Sequence, residues 1–477
     1  MQASIRKLGF FFVLLALVLV FNLSYLQVFG QNGLVENPAN TRRLIEEYGI
    51  RRGRIMTADG LVVAESIETE GLLRYRRAYP GGTLFSHVIG YDSPQFGRSA
   101  LEAYYNEYLL GRDPSRGWAE EMTSDLEEGN DITVTIDSEV QAAAAEALGQ
   151  RKGAVVALDP KTGAVLAMYS WPVFDPNALV SPEQTEEDEL AADAVMRSYV
   201  GDPSSPLLNR ATLGLFTPGS SFKVVTSSAG IESGLLPGTQ YYCPGVLPVG
   251  NFWVTNYGDP PRDFGTIDMD TALTLSVNTY FAQLALDMGG DALVGYAERF
   301  GMNGMPPLDY PAVAASSIPQ AGEMDDVELA WTGAGQGELL MTPLQLCLVG
   351  CAVANGGRTM LPHLLKDVRR QDNILERFDA GEWRSPISAD TAAAVLAMMV
   401  HVVEEGTGTA AAVPGITVAG KTGTAEVEGE PPHAWFLGIA PAENPTVVVA
   451  VVVENSGGGG GTVAAPIARE IIAAALE

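Results

Sequence analysis

Thr217-Pro218-Gly219-Ser220-Ser221-Phe222-Lys223, in a chain of 477 residues, opens an apolar run that reads as a helix ending near Gly234. Ser220 and Lys223 are three residues apart, so a helix sets them on one face. Ser220 then sits at the helix start, where unpaired N–H groups and the dipole favour negative charge. That is a good place for a serine nucleophile with a lysine as its base. The S-x-x-K pattern alone is weak, since Ser4-Ile5-Arg6-Lys7 also matches it. Two patterns downstream give it weight. Ser276-Val277-Asn278 sets a hydroxyl that can relay a proton and an amide that can hold a substrate backbone on one side of a loop; alone it reads as a turn or cap. Lys421-Thr422-Gly423-Thr424 falls in a predicted strand over Ile416 to Ala425. Its lysine offers a cation for a carboxylate and its threonines offer hydroxyls. Gly423 lacks a Cβ, so a substrate can approach the strand backbone there. A second K-T-G, Lys161-Thr162-Gly163, follows Asp159-Pro160 in a hairpin turn, and its lysine is expected to face water. The chain holds only six lysines, so two of them falling into the order S-x-x-K, S-x-N, K-T-G by chance is improbable.

Outward from these motifs, Val447 to Val453 and Ala434 to Ala440 read as further strands, and Ala464 to Leu476 as a closing helix. Ala154 to Leu158 and Val165 to Met168 form a hairpin, and Gln141 to Leu148 is Ala-rich and helical. Thr342 to Asn355 reads as a helix with Thr342 as N-cap and Pro343 at its first position. Cys347 and Cys351, one turn apart on it, read as packing thiols. Residues 182 to 206 read as a surface excursion. Upstream, Arg52-Gly53-Arg54-Ile55 with Asp59-Gly60 reads as strand, turn, strand, and Gly97 to Gly111 as a short helix. Leu8 to Phe29 is an apolar run of about 22 residues, roughly 33 Å of helix. Arg6 and Lys7 precede it and no small-x-small cleavage site follows, so it reads as an uncleaved signal anchor with a cytoplasmic N-terminus. Apolar residues are 47% of the chain, too many for a disordered one. A formal net charge of -29 argues against nucleic acid as a partner. Three cysteines with no C-x-x-C pair, and four histidines, leave no structural zinc site or disulfide framework; no metal and no cofactor is expected.

The three motifs in this order resemble the class B penicillin-binding proteins, monofunctional peptidoglycan D,D-transpeptidases, with Val277 standing where the S-D-N form of the second motif has Asp. Phe174-Asp175-Pro176-Asn177, Gly335-Gln336-Gly337 through Thr342-Pro343-Leu344-Gln345, His433-Ala434-Trp435-Phe436 and Arg52-Gly53-Arg54-Ile55 extend the resemblance over most of residues 50 to 470. It implies an α+β fold: an antiparallel sheet flanked by helices, plus a helical subdomain that forms the other cleft wall. The expected organisation is a cytoplasmic tail and anchor over 1–30, an α+β pedestal over 31–129 and a penicillin-binding transpeptidase domain over 130–477. The resemblance implies Ser220, Lys223 and Ser276 as catalytic residues. Asn278, Lys421, Thr422, Gly423 and Thr424 would bind substrate, and the Ser220 and Thr424 N–H groups would form an oxyanion hole. Substrates and ligands would be stem peptides ending in D-Ala-D-Ala and β-lactams. The cell membrane and a SEDS-family glycan polymerase are the expected partners, and the catalytic domain would be extracytoplasmic. A D,D-carboxypeptidase and a serine β-lactamase share the motifs and remain alternatives. About 100 residues of pedestal cannot hold a glycosyltransferase domain.

Overall fold

The computed structural model describes residue 15 and residues 41–71, 73–112, 128–180 and 185–477. All of the expected anchor except Leu15 lies outside these residues. Among the described residues, no helix is long and apolar enough to cross a membrane. The strands of two main sheets are, in chain order, β1 (Ile55–Met56), β2 (Val62–Glu68), β3 (Tyr75–Ala78), β4 (Asp131–Val134), β5 (Gly153–Leu158), β6 (Val165–Trp171), β7 (Leu365–Arg370), β8 (Asn373–Arg377), β9 (Ala419–Val427), β10 (Glu430–Ala440) and β11 (Val447–Val453). The helices that matter here are α1 (Ser138–Leu148), α2 (Glu186–Gly201), α3 (Lys223–Glu232), α4 (Asn278–Met288), α5 (Asp326–Ala334), α6 (Pro343–Ala354), α7 (Ala389–Glu404) and α8 (Ala464–Leu476).

Seven consecutive aliphatic residues make β11 the buried middle of a five-stranded antiparallel sheet, ordered β9-β10-β11-β5-β6. A strand covered on both faces needs no polar alternation, which is why β11 reads as a continuous apolar run. Its side chains still alternate between faces. Val448, Ala450 and Val452 join Trp435 and Leu437 in the larger core with residues of α3, α4 and α6. Val447, Val449 and Val451 join Phe436 in a second core, closed by α1 and α8. Helix α6 is buried along nearly all its length. Thr342 caps it by accepting from the Gln345 N–H at 3.1 Å, with Pro343 at its first position. A Cβ on Gly350 would stand 2.6 Å from Val448 Cγ1, so glycine lets this helix lie close on the sheet.

The second sheet is ordered β8-β7-β4-β1-β2-β3. Its β1–β4 pair is parallel, Ile55 opposite Ile132, so this sheet draws strands from both sides of residue 130. Beneath it Glu102, fully buried, accepts from Arg52 Nε at 2.7 Å and from Arg77 Nε at 2.5 Å. Tyr105, on the same side, donates to Asp309 Oδ2 at 2.5 Å, and Asp309 Oδ1 accepts from the Leu364 N–H at 2.6 Å. The Tyr105–Asp309 bond joins the N-terminal part to the rest. Gly97 to Gly111 holds two short helices, Ala100–Tyr104 and Asn106–Leu109, rather than one. The surface excursion at 182–206 contains the 16-residue helix α2, closed at its start by a Thr185–Asp188 capping box. Only Ala192 of α2 is buried, so it lacks the apolar stripe by which a helix is recognised in sequence.

Candidate active site

The turn carrying the candidate nucleophile is a 3-10 segment, Gly219–Phe222, running directly into α3 at Lys223. Gly219 has φ +57°, a conformation that favours glycine. The turn is tied to the sheet by Trp435, whose Nε1 donates to the Thr217 carbonyl at 3.0 Å. Of the two adjacent serines, Ser221 is fully buried and donates to the Pro218 carbonyl at 2.7 Å. Ser220 instead points its Oγ at Lys223 Nζ, 2.9 Å away.

Lys223 is completely buried. Its Nζ lies 2.9 Å from the Ser276 carbonyl, 2.6 Å from Asn278 Oδ1 and 3.4 Å from Ser276 Oγ, with the Phe281 ring 5.4 Å away. Burial first, and the cation of Lys421 second, hold this amine well below the usual lysine range. Ser276 carries φ +59°, a costly conformation for a side chain with a Cβ, of the kind that clusters at functional sites. That conformation turns its carbonyl towards Lys223 while Lys421 Nζ donates to its hydroxyl at 2.9 Å. Asn278 opens α4, and its Nδ2 donates to the Thr255 carbonyl at 2.9 Å. The amide is therefore anchored between Lys223 and the short hairpin Val246–Val249/Phe252–Thr255.

Lys421 lies on β9, the free edge of the five-stranded sheet, and is also fully buried. Burial lowers its ammonium to about 7. A substrate carboxylate alongside would raise that value and favour the cation. The side of Gly423 expected to admit substrate is filled by the Gly219–Phe222 turn: a Cβ there would stand 2.7 Å from the Pro218 carbonyl and 3.1 Å from the Ser221 nitrogen. The missing side chain thus brings turn and strand together. Thr422 Oγ1 pairs with Thr407 Oγ1 at 2.7 Å, and Thr424 Oγ1 accepts from the Gly460 N–H at 3.3 Å.

All eight residues picked out in the sequence meet around this one edge. The second K-T-G does not: Lys161 is exposed and donates to Asn444 Oδ1 at 2.5 Å. Sequence reasoning missed Gln336, Thr407 and Thr255 as members of the site. Gln336 had a signal in its two flanking glycines; the two threonines had none.

The model of the penicillin binding protein transpeptidase domain matches residues 153–473, and that of the penicillin binding protein A dimerisation domain matches residues 52–132. The chain is 36% identical to a peptidoglycan D,D-transpeptidase PbpA of Mycolicibacterium smegmatis, over 100% of this chain and 99% of the relative. A PbpA of Mycobacterium tuberculosis matches equally, at 36% identity with the same coverage. Among solved structures, penicillin-binding protein A from M. tuberculosis, as a ceftriaxone acyl-enzyme complex, superposes with a TM-score of 0.84. That match is 34% identical and covers 91% of this chain and 100% of the other. The D,D-transpeptidase domain of a peptidoglycan glycosyltransferase from Eggerthella lenta gives a TM-score of 0.79 at 37% identity, covering 90% and 98% of the two chains.

Proposed function

Because the chain belongs to the penicillin-binding protein transpeptidase family, we propose that Ser220 is its nucleophile, Lys223 its base and the edge of β9 its peptide-binding strand. The protein is a peptidoglycan D,D-transpeptidase of cell-wall synthesis that works through a serine acyl-enzyme and is acylated by β-lactams. One observation supports the assignment of roles above the others. Two of the groups around Lys223 Nζ, the Ser276 carbonyl and Asn278 Oδ1, are carbonyl oxygens and can only accept. They take the two N–H bonds of a neutral amine and leave its lone pair for the Ser220 hydroxyl. A buried amine next to a second lysine is the kind that stays neutral.

In this mechanism Ser220 Oγ attacks the carbonyl of the penultimate D-Ala, and its proton passes to Lys223. Ser276 relays that proton to the leaving amine as the C–N bond breaks and the terminal D-Ala departs. The Ser220 and Thr424 N–H groups hold the oxyanion, each worth roughly a hundredfold or more in rate. Lys421, Thr422 and Thr424 hold the terminal carboxylate, and Asn278 holds the donor backbone. An amine from a neighbouring stem then attacks the ester. A new amide bond forms, the ester C–O bond breaks, and the proton lost by the attacking amine passes to Ser220 Oγ.

The apolar run at residues 8 to 29, preceded by Arg6 and Lys7, supports a single-pass signal anchor that leaves the catalytic domain outside the cell membrane. The pedestal then spans 31–129 and the transpeptidase domain 130–477. A SEDS-family glycan polymerase beside the anchor would supply the strands to be cross-linked.

The test is incubation of the protein with uncross-linked glycan strands bearing pentapeptide stems. Cross-linked muropeptides together with free D-Ala are expected. Free D-Ala with shortened but monomeric stems would make the protein a D,D-carboxypeptidase. Rapid, continuous turnover of a chromogenic cephalosporin would make it a β-lactamase.

A further inference from the structure

Gln336 Nε2 donates to the Thr424 carbonyl at 3.2 Å, across the free edge of β9. An edge strand pairs an extended peptide through its unpaired C=O and N–H groups. The Thr424 carbonyl is therefore the acceptor that a stem peptide lying along β9 requires for its own amide N–H, and a side-chain amide already occupies it. Little room is left for a further donor. Gly219 packs so closely that a Cβ on it would stand 2.5 Å from that oxygen.

The surroundings of Gln336 fix its backbone and leave its side chain to move. Its own N–H donates to the Trp331 carbonyl at 2.9 Å at the end of α5. Gly335 before it and Gly337 after it have φ +93° and +79°. A Cβ on Gly335 would stand 1.9 Å from the Gly219 carbonyl, so this loop is seated on the nucleophile turn. Gln336 is only half-buried, and its displacement asks for a change in its side-chain torsions alone.

We propose that Gln336 is a specificity-determining residue that stands in for the substrate amide N–H at the Thr424 carbonyl. A ligand that brings an amide N–H displaces it. A ligand without one leaves it in place, so the carbonyl stays satisfied in the acylated site. The proposal rests on the reading of β9 as the peptide-binding edge.

Two β-lactams separate the cases. Benzylpenicillin carries an acylamino N–H beside its ring. Imipenem carries a hydroxyethyl group there and has no amide N–H to offer. Second-order acylation constants are measured for both on the full-length protein and on Gln336→Met, which keeps the volume and removes the donor. Gln336→Asn, one carbon shorter, serves as a second variant should the first fail to fold. The ratio of benzylpenicillin to imipenem acylation is expected to rise by about three- to tenfold, the scale of one net hydrogen bond. A rise of less than about twofold, or a fall, would overturn the proposal, because loss of a merely structural contact would slow both drugs alike. Failure of the unaltered protein to be acylated by benzylpenicillin would instead strike at the β9 reading itself.

Discussion

Lys223 and Lys421 meet at one serine, Ser276, and the proposed mechanism requires them in opposite charge states. Both are buried, but only Lys223 is pushed down further by a neighbouring cation, so it is the first of the pair to lose its proton. The reactive form, Lys223 neutral and Lys421 charged, exists above the first titration of the pair and below the second. Acylation by benzylpenicillin should therefore follow a bell-shaped pH profile, whose alkaline limb reports Lys421 of the free enzyme, at about 7. A profile that climbs without turning over to pH 10 would contradict this pairing. Lys223→Arg keeps the charge but cannot become a neutral base, since Arg stays protonated at pH values above 12. Its acylation rate should fall by about a hundredfold or more; near-normal acylation would show that Lys223 acts only as a cation. At this scale the motif residues were legible because each carries a chemical type at a telling spacing. Gln336 offered only its flanking glycines and Thr407 nothing, because their contacts with Thr424 and Thr422 are made by tertiary packing and leave no local pattern.

β9 and the turn at Gly219–Phe222 act as one unit, and the two K-T-G copies test which strand belongs to it. Lys421→Ala should cripple acylation, while Lys161→Ala should leave it within twofold and change stability by under about 0.5 kcal/mol, as surface changes do. Acylation rates with one penicillin on folded samples decide between them, and equal impairment would make the assignment of the cleft strand unsafe. Gly423→Ala tests the same joint from inside. Its Cβ would crowd the Pro218 carbonyl at 2.7 Å and Trp435 Cβ at 2.9 Å, so the turn must shift away from the strand. A displacement of that kind should lower the acylation rate by about a hundredfold; unchanged kinetics would show that turn and strand tolerate separation. Elements were legible where burial imposes a pattern, as in the apolar run of β11 or the Thr342-Pro343 start of α6. Helix α2 was not, since an exposed acidic helix held by its cap leaves no stripe to read. Gly423 was legible as a close approach, but what approaches it is set by tertiary packing.

Across the whole molecule, the N-terminal part is held by charges buried beneath its sheet. Glu102 serves two guanidinium groups, those of Arg52 and Arg77, with almost no access to water. Glu102→Ala would take from Arg77 its carboxylate partner and leave Arg52 with Asp92, 3.7 Å away, and Asn106; it should cost about 3–5 kcal/mol, read as a lowered unfolding temperature, and a melt unchanged within a degree would mean water reaches the cluster. The sequence could not reveal this sheet as a whole, because the parallel β1–β4 pair joins segments on either side of residue 130 and no local pattern encodes such a partner. The transpeptidase sheet was easier, since all five of its strands lie in sequential antiparallel connections, the β5–β6 hairpin and the β9–β10–β11 meander. The proposed mechanism requires that Lys223 activate Ser220 and not its neighbour Ser221. Mass spectrometry of the benzylpenicillin adduct, with fragmentation of the peptide spanning Thr217 to Lys223, tests it most directly. One adduct on Ser220, absent in Ser220→Ala, is the predicted result; a label on Ser221, or labelling that survives Ser220→Ala, would contradict it.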